Sequence, residues 1–111
     1  MTVRIWRGSA VAENAAKYRK HVTETVFPCL PQIDGHRGAM LLERKVGTRV
    51  EFVAITFWDS VDSVKRFAGE DCETAVVEPE AQDVLDEYDP IVRRFEVTFD
   101  NKAAQSADLR R

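Results

Sequence analysis

The side chains of this chain best suited to proton transfer fall on one predicted helix. His21 follows Asn14 and Tyr18 by seven and three residues, and Thr25 comes next in the same series. This spacing places the four along one seam of a helix, so Asn14, Tyr18 and His21 can face a common pocket. Because imidazole titrates near neutral pH, His21 would be the proton acceptor, Tyr18 an oxyanion partner and Asn14 a substrate-binding residue. The alternative is that His21 is an exposed residue of an amphipathic helix.

Arg94 is the second candidate for this chemistry, since a guanidinium can stabilise an enolate or phenolate oxygen. It lies in an alternating segment, on the opposite strand face from Phe95. An ion pair with Glu96 or Glu51 is the competing interpretation. His36 lies in the turn sequence GHRG, where a solvent-facing role competes with a functional one.

Large aromatic side chains would form the walls of such a pocket, and the candidates are Trp6, Trp58 and Phe67. Trp6 and Trp58 fall on strands that are predicted to pair, so we expect them to be neighbours. For Trp58, packing at the sheet end or at a subunit interface competes with ligand stacking. Phe67 can equally be a core anchor of its helix.

The charge balance argues against several classes of partner. The chain has 16 Lys and Arg against 19 Asp and Glu, a net charge of −3, with no basic block before its last two residues. This composition disfavours nucleic acid and anionic membranes as partners. No apolar stretch approaches the roughly 18 residues of a membrane span. The N-terminus lacks the apolar segment of a signal peptide, so we expect a cytoplasmic location.

The sequence contains no nucleotide-binding glycine motif, no GxSxG motif and no His/Cys spacing typical of zinc sites. We therefore expect no cofactor and no metal. Cys29 and Cys72 are expected to stay reduced. A cluster of acidic residues is interpreted as solvated surface, because its carboxylates spread around a helical turn: Asp83, Asp86, Glu87 and Asp89.

The elements that position these residues follow from hydrophobic periodicity. The apolar run 52–58 predicts a central strand buried on both faces, which passes directly into a helix at 60–69 with Ser60 as its N-cap. The other predicted elements are a strand at 2–8 ended by Gly8-Ser9, a helix at 10–27 ended by Pro28 and Pro31, a strand at 37–45, a hairpin turn at Gly47-Thr48, helical pieces at 70–77 and 80–88, and a strand at 91–99.

This order predicts a ferredoxin-like α+β fold, βαββαβ, with a four-stranded antiparallel sheet whose first and third strands are central. Residues 1–99 would form a single domain, followed by a polar tail, 100–111, that is either frayed or laid across a partner. Both helices cover one face, which leaves an apolar face uncovered. Because large exposed apolar patches are usually interfaces, we expect a homodimer whose sheets pack face to face as a dimeric α+β barrel.

The chain resembles the antibiotic biosynthesis monooxygenase-like family of dimeric α+β barrel proteins over about residues 3–97. The stretches that carry the resemblance are RIWRG at 4–8, GHRG at 35–38, TFWDS at 56–60, RFAGED at 66–71, AVVEP at 75–79 and RRFEV at 93–97. The resemblance implies a pocket between the sheet and the helices of each subunit. Some members oxygenate phenolic or quinol substrates with O₂ and no metal or flavin, whereas others bind and degrade haem.

Two departures from the family pattern bear on chemistry. The haem-degrading branch is similar but uses a helical Trp, a His ten residues later and an Asn in the first strand, where this chain has Phe67, Val77 and no Asn. Valine offers no lone pair to iron, which disfavours that mode of haem ligation. Many similar members carry a His-Tyr pair in the last strand, where this chain has Arg94-Phe95.

The resulting hypothesis is a small cofactor-independent monooxygenase that oxidises an aromatic or polyketide-like compound. The alternative is a non-catalytic small-molecule-binding or stress-related protein of the same fold. Haem binding through His21 or His36 is a third possibility.

Overall fold

A computed structural model describes residues 1–68 and 79–101. The sheet is antiparallel, and its strands are β1 (Thr2–Val11), β2 (His36–Val46), β3 (Arg49–Trp58), β4 (Glu87–Tyr88) and β5 (Arg93–Glu96). The helices are α1 (Ala12–His21), α2 (Val61–Ala68) and α3 (Pro79–Val84). The strand order is β2-β3-β1, with both β4 and β5 paired to β1. This is the predicted ferredoxin-like α+β architecture, with the first and third strands central.

The predicted last strand, 91–99, is shorter in the structure, where it is β5, and a further short strand, β4, pairs with the same edge of β1. Pro90 lies between them, and proline has no N–H to donate to a ladder. The backbone N–H groups of Asp89 and Val97 still donate to Arg7 and Met1, at 2.9 Å each. The described residues therefore form a sheet of five strands where the sequence predicts four.

The hairpin between β2 and β3 is the predicted one. Gly47 has φ +63°, a left-handed conformation that glycine adopts without steric cost. Val46 then pairs with Arg49, and the ladder runs to His36 opposite Trp58. This register fixes which side chains of β2 and β3 share a face.

The two faces of β3 have different environments. Phe52 and Trp58 point toward the helices and are fully buried. Val53, Ile55 and Phe57 point the other way and stay partly exposed. The prediction that this strand is buried on both faces is wrong for the single chain, because no described element covers its second face.

The first helix differs from its predicted range of 10–27. Ala10 and Val11 still pair with Val50 and Arg49, so β1 continues past Gly8-Ser9 and α1 begins at Ala12. After His21 the chain continues as a π-helical turn (Val22–Val26) and a 3₁₀ helix (Phe27–Gln32). The prolines exclude ordinary α-helical hydrogen bonds, and the chain changes helical type instead of stopping.

The helix α2 begins as predicted, with the backbone N–H of Ser63 donating to Oγ of Ser60 at 3.3 Å. The predicted helical piece at 70–77 and most of the tail at 100–111 lie outside the described residues. The next helix in the described residues is α3, at Pro79–Val84, and Tyr88 belongs to β4 rather than to a helix. Among residues 1–68 and 79–101, no helix has the length and apolar character to cross a membrane.

Candidate functional site

A cavity of about 100 Å³ lies between the helices and the sheet. By the same measure one water molecule needs roughly 10–15 Å³, so the cavity has room for a small ligand. It exists because the helix-facing side of β3 reads Phe52, Ala54, Thr56, Trp58, with bulky residues at the ends and small ones between. Its lining residues are Arg4, Trp6, Tyr18, His21, Val22, Val26, Phe27, Leu30, Ala54, Thr56, Phe67, Ala81 and Val92.

His21 and Tyr18 form the polar part of the helical wall. The Nε2 atom of His21 is buried and has no hydrogen-bond partner among the described residues. Tyr18 is 3% exposed, and its ring lies 4.7 Å from that of Phe52 and 6.4 Å from that of Trp6. Burial raises the pKa of Tyr18, so its hydroxyl stays protonated and can donate.

Arg4 and Thr56 form the polar part of the sheet wall. The two residues are directly opposed on β1 and β3, and each is buried. The guanidinium carbon of Arg4 lies 5.5 Å from the centre of the Phe67 ring, a cation–π arrangement. The indole Nε1 of Trp58 donates to Oγ1 of Thr56 at 2.8 Å.

Solved structures share this arrangement of strands and helices. Proteins described provisionally as antibiotic biosynthesis monooxygenases, from Bacillus cereus and Deinococcus radiodurans, superpose with TM-scores of 0.66 and 0.63 at 14% and 16% identity. Each superposition covers 91% of this chain, with 94% and 96% of the respective neighbour. The chain has the fold of antibiotic biosynthesis monooxygenase-like proteins.

The haem degrader MhuD of Mycobacterium tuberculosis, whose structure holds two haems in its active site, has the same fold. Its TM-score is 0.59 at 19% identity, over 91% of this chain and 99% of MhuD. No protein-family model matches the sequence. No curated protein matches it significantly either. The likeness therefore concerns the antibiotic biosynthesis monooxygenase-like fold, and the site must be assigned from its own geometry.

Within this antibiotic biosynthesis monooxygenase-like fold, four of the residues proposed from sequence reach the cavity: Trp6, Tyr18, His21 and Phe67. Trp58 is fully buried behind Phe67, with the two rings stacked at 5.8 Å. Asn14 is half-buried on α1 outside the lining set. Arg94 pairs with Arg4 across the β1–β5 ladder but is exposed and lies outside that set as well.

The prediction that Trp6 and Trp58 are neighbours is wrong. Trp6 pairs with Ala54, whereas Trp58 pairs with Thr2 at the far end of the ladder. The Trp6 ring bends over Gly8, where an added Cβ would come within 2.8 Å of it. Trp6 therefore packs toward α1, and its indole Nε1 donates to the carbonyl of Asp89 at 2.7 Å.

Other polar groups singled out from the sequence lie away from the cavity. His36 packs edge-on against Trp58 at 5.0 Å, and burial lowers its pKa. In the predicted acidic cluster, Asp86 forms an ion pair with Arg49, with 2.8 Å between Oδ2 of Asp86 and Nε of Arg49. The described part of the chain has no group of three or more His, Cys, Asp or Glu placed to hold a metal ion.

Arg4 and Thr56 were missed at the sequence level. A charged residue on a strand is usually exposed, and only the β1–β3 register reveals that Arg4 faces the helices. The sequence did contain one signal for Arg4. Residues two apart on a strand point to the same face, so Arg4 shares the face of Trp6, which was already proposed as a pocket wall.

Proposed function

We propose that this protein is a small monooxygenase that oxidises an aromatic or polyketide-like carbon acid with O₂ in the described cavity. The observation that carries the proposal is that His21 lines an aromatic-walled cavity and that its Nε2 is buried without a hydrogen-bond partner among the described residues. A buried imidazole of this kind is suited to accept a proton from a bound substrate. The shared fold with provisionally named monooxygenases supports the same reading.

In the proposed reaction, His21 takes a proton from an acidic CH₂ group flanked by aromatic rings. The resulting carbanion reduces O₂ and combines with it to give a hydroperoxide, which recovers the proton from His21. Loss of water from the hydroperoxide leaves a ketone, so CH₂ and O₂ become C=O and H₂O. Tyr18 stays protonated because of its burial and can donate to the developing oxyanion, while Trp6 and Phe67 form the walls.

Oxygen uptake with an anthrone such as dithranol tests this proposal. Removal of a general base typically costs about 10²–10⁴-fold in rate, so we expect His21→Ala to lose that much catalysed uptake. Lys20→Ala, a change at the exposed adjacent residue, serves as the control and should retain wild-type uptake. Ligand-induced thermal stabilisation without any catalysed uptake would support the non-catalytic binding protein instead.

Haem binding is the alternative to this reaction, and the sequence disfavours it because Phe67 and Val77 stand where the similar haem-degrading proteins carry Trp and His. His36 packs against Trp58 outside the cavity lining, which leaves His21 as the imidazole of the described wall. Titration with haem should therefore produce no Soret band of a ligated iron.

We also propose that the protein is a homodimer formed through the uncovered sheet face. Met40, Leu42 and Phe95 on this face are 50%, 47% and 51% exposed. They surround the partly buried side chains of β1 and β3 that point the same way. Contiguous apolar patches on a soluble protein mark interaction surfaces, and a second copy of the same face is complementary in character.

A further inference from the structure

We propose that the sheet wall of the cavity is an anion subsite, in which Arg4 and Thr56 bind a carboxylate carried by a planar aromatic ligand. This deepens the proposed function, on which its catalytic meaning rests, but it concerns binding alone. The nearest sequence-based candidate for such a role, Arg94, is exposed and outside the cavity lining.

The charge distribution of the wall favours an anion. Arg4 is 5% exposed and lines the cavity beside the apolar ring of Phe67. None of the described lining residues is Asp or Glu. A guanidinium has five N–H donors in a planar fork, so a contact elsewhere in the protein still leaves donors for a ligand oxygen. In this low-dielectric setting a carboxylate is bound more strongly than a neutral group.

Thr56 supplies the second donor, and Trp58 determines that it acts as one. Indole nitrogen is a donor only, so the bond from Nε1 of Trp58 uses acceptor capacity of the Thr56 oxygen. The Thr56 hydroxyl proton is then available to the cavity that Thr56 lines. Because Arg4 and Thr56 are directly opposed across the β1–β3 ladder, their Cβ atoms lie about 4.5–5.5 Å apart. At this separation both side chains can reach a single carboxylate group.

The next pair along the same face accounts for the planar body of the ligand. Trp6 and Ala54 are opposed there, two residues from Arg4 and Thr56, or about 6.6–6.8 Å along the strands. The small Ala54 side chain leaves open space, with Trp6 beside it and Val22 and Val26 of the helical wall also lining the cavity. One or two fused rings match that spacing.

The test is isothermal titration of the whole protein with 1-hydroxy-2-naphthoate and with the corresponding primary amide, under anaerobic conditions. The two probes have nearly the same shape, and only the first carries a charge. Wild type should bind the acid at least tenfold more tightly than the amide. Equal affinities, or no binding of the acid at millimolar concentration, overturn the proposal.

The variants assign the preference to particular groups. Arg4→Met should remove the preference for the acid, whereas Arg94→Met, the directly opposed arginine outside the lining set, should keep it. Thr56→Val should weaken binding of the acid and Thr56→Ser should restore it, which separates loss of the hydroxyl from loss of packing. If Arg94→Met removes the preference, or Thr56→Ser binds no better than Thr56→Val, the assignment is overturned.

A fold check and a fourth variant separate this proposal from the proposed reaction. Circular dichroism and thermal melts identify any variant that fails to fold. If Arg4→Met fails to fold, the comparison of Thr56→Val with Thr56→Ser tests the proposal instead. His21→Ala should retain the preference for the acid while it loses catalysed oxygen uptake. A wild-type protein that prefers the acid but catalyses no oxygen uptake would contradict the proposed reaction alone. A wild-type protein without a preference for the acid over the amide would contradict the anion subsite.

Discussion

The two histidines of the chain lie in different surroundings. His21 lines the cavity and has a buried Nε2, whereas His36 packs edge-on against Trp58 at 5.0 Å, with its Nδ1 buried and without a hydrogen-bond partner in the described parts of the chain. Sequence reasoning could rank His21 above His36 from helical spacing alone, because Tyr18 and His21 fall on one seam. It could not place Arg4, whose burial depends on which strand pairs with β1.

His36 should make folding stability dependent on pH. Burial lowers its pKa, so the unfolded chain binds a proton more readily than the folded chain does. The stability that neutral His36 contributes is fully present above its pKa in the unfolded chain, about 6.5. This stability is lost as the pH falls through the lower pKa of the folded chain. Urea denaturation at pH 7.5 and pH 5 should show a smaller loss of unfolding free energy for His36→Gln than for wild type. Parallel losses in the two proteins would count against the assignment.

At the scale of the elements, β3 creates the cavity by the sizes of its buried side chains. Phe52 and Trp58 contact the two core clusters, and Ala54 and Thr56 leave space between them. The alternation of large and small residues in β3 can be seen in the sequence. It predicts a cavity only when the face that the helices cover is known.

Filling the cavity from β3 should block ligand binding without unfolding the protein. Ala54→Leu places three more carbons into open space, and cavity-filling substitutions commonly stabilise by about 0.5–2 kcal/mol. We expect an unfolding free energy equal to that of wild type or higher, with at least tenfold weaker binding of 1-hydroxy-2-naphthoate by calorimetry. Ala16→Leu adds the same atoms at an exposed site on α1 and should change neither property. Wild-type affinity in Ala54→Leu would show that the ligand binds elsewhere.

The elements differ from their predicted bounds where pairing or proline chemistry outweighs local pattern. Ala10 and Val11 have helix-compatible side chains, yet pairing with Val50 and Arg49 keeps them in β1. Pro28 and Pro31 predict a helix end, and the chain instead continues in 3₁₀ geometry, with Leu30 buried in the second core cluster. Local sequence patterns do not contain these tertiary contacts, so they could not predict where the two elements end.

At the scale of the whole molecule, the sheet has one covered face and one that is apolar and open. Alternation in β2 places Met40 and Leu42 on the open face. A row of ion pairs borders this patch, since Glu51 accepts from both Arg7 and Arg44 across three strands. The strand order and the uncovered face therefore followed from the sequence, whereas the burial of individual side chains did not.

A charge on the open face should prevent assembly. Leu42→Glu would bury an unpaired carboxylate in a face-to-face dimer, which is strongly unfavourable. Sedimentation equilibrium should show a species of twice the chain mass for wild type and a single-chain mass for Leu42→Glu. Thr25→Glu introduces the same charge at an exposed helical position and should remain dimeric. A monomeric wild type at micromolar concentration would contradict the proposed interface.

The central claim is that His21 removes a proton from a carbon acid that O₂ then oxidises. Its most direct test is the rate at which ¹⁸O from ¹⁸O₂ enters the product carbonyl of dithranol, measured by mass spectrometry against a protein-free control. We predict one ¹⁸O atom per anthraquinone molecule, in the newly formed carbonyl, with this product formed well above the control rate by wild type and Lys20→Ala and at the control rate by His21→Ala. A wild-type rate equal to the control, or an undiminished rate in His21→Ala, would contradict the account.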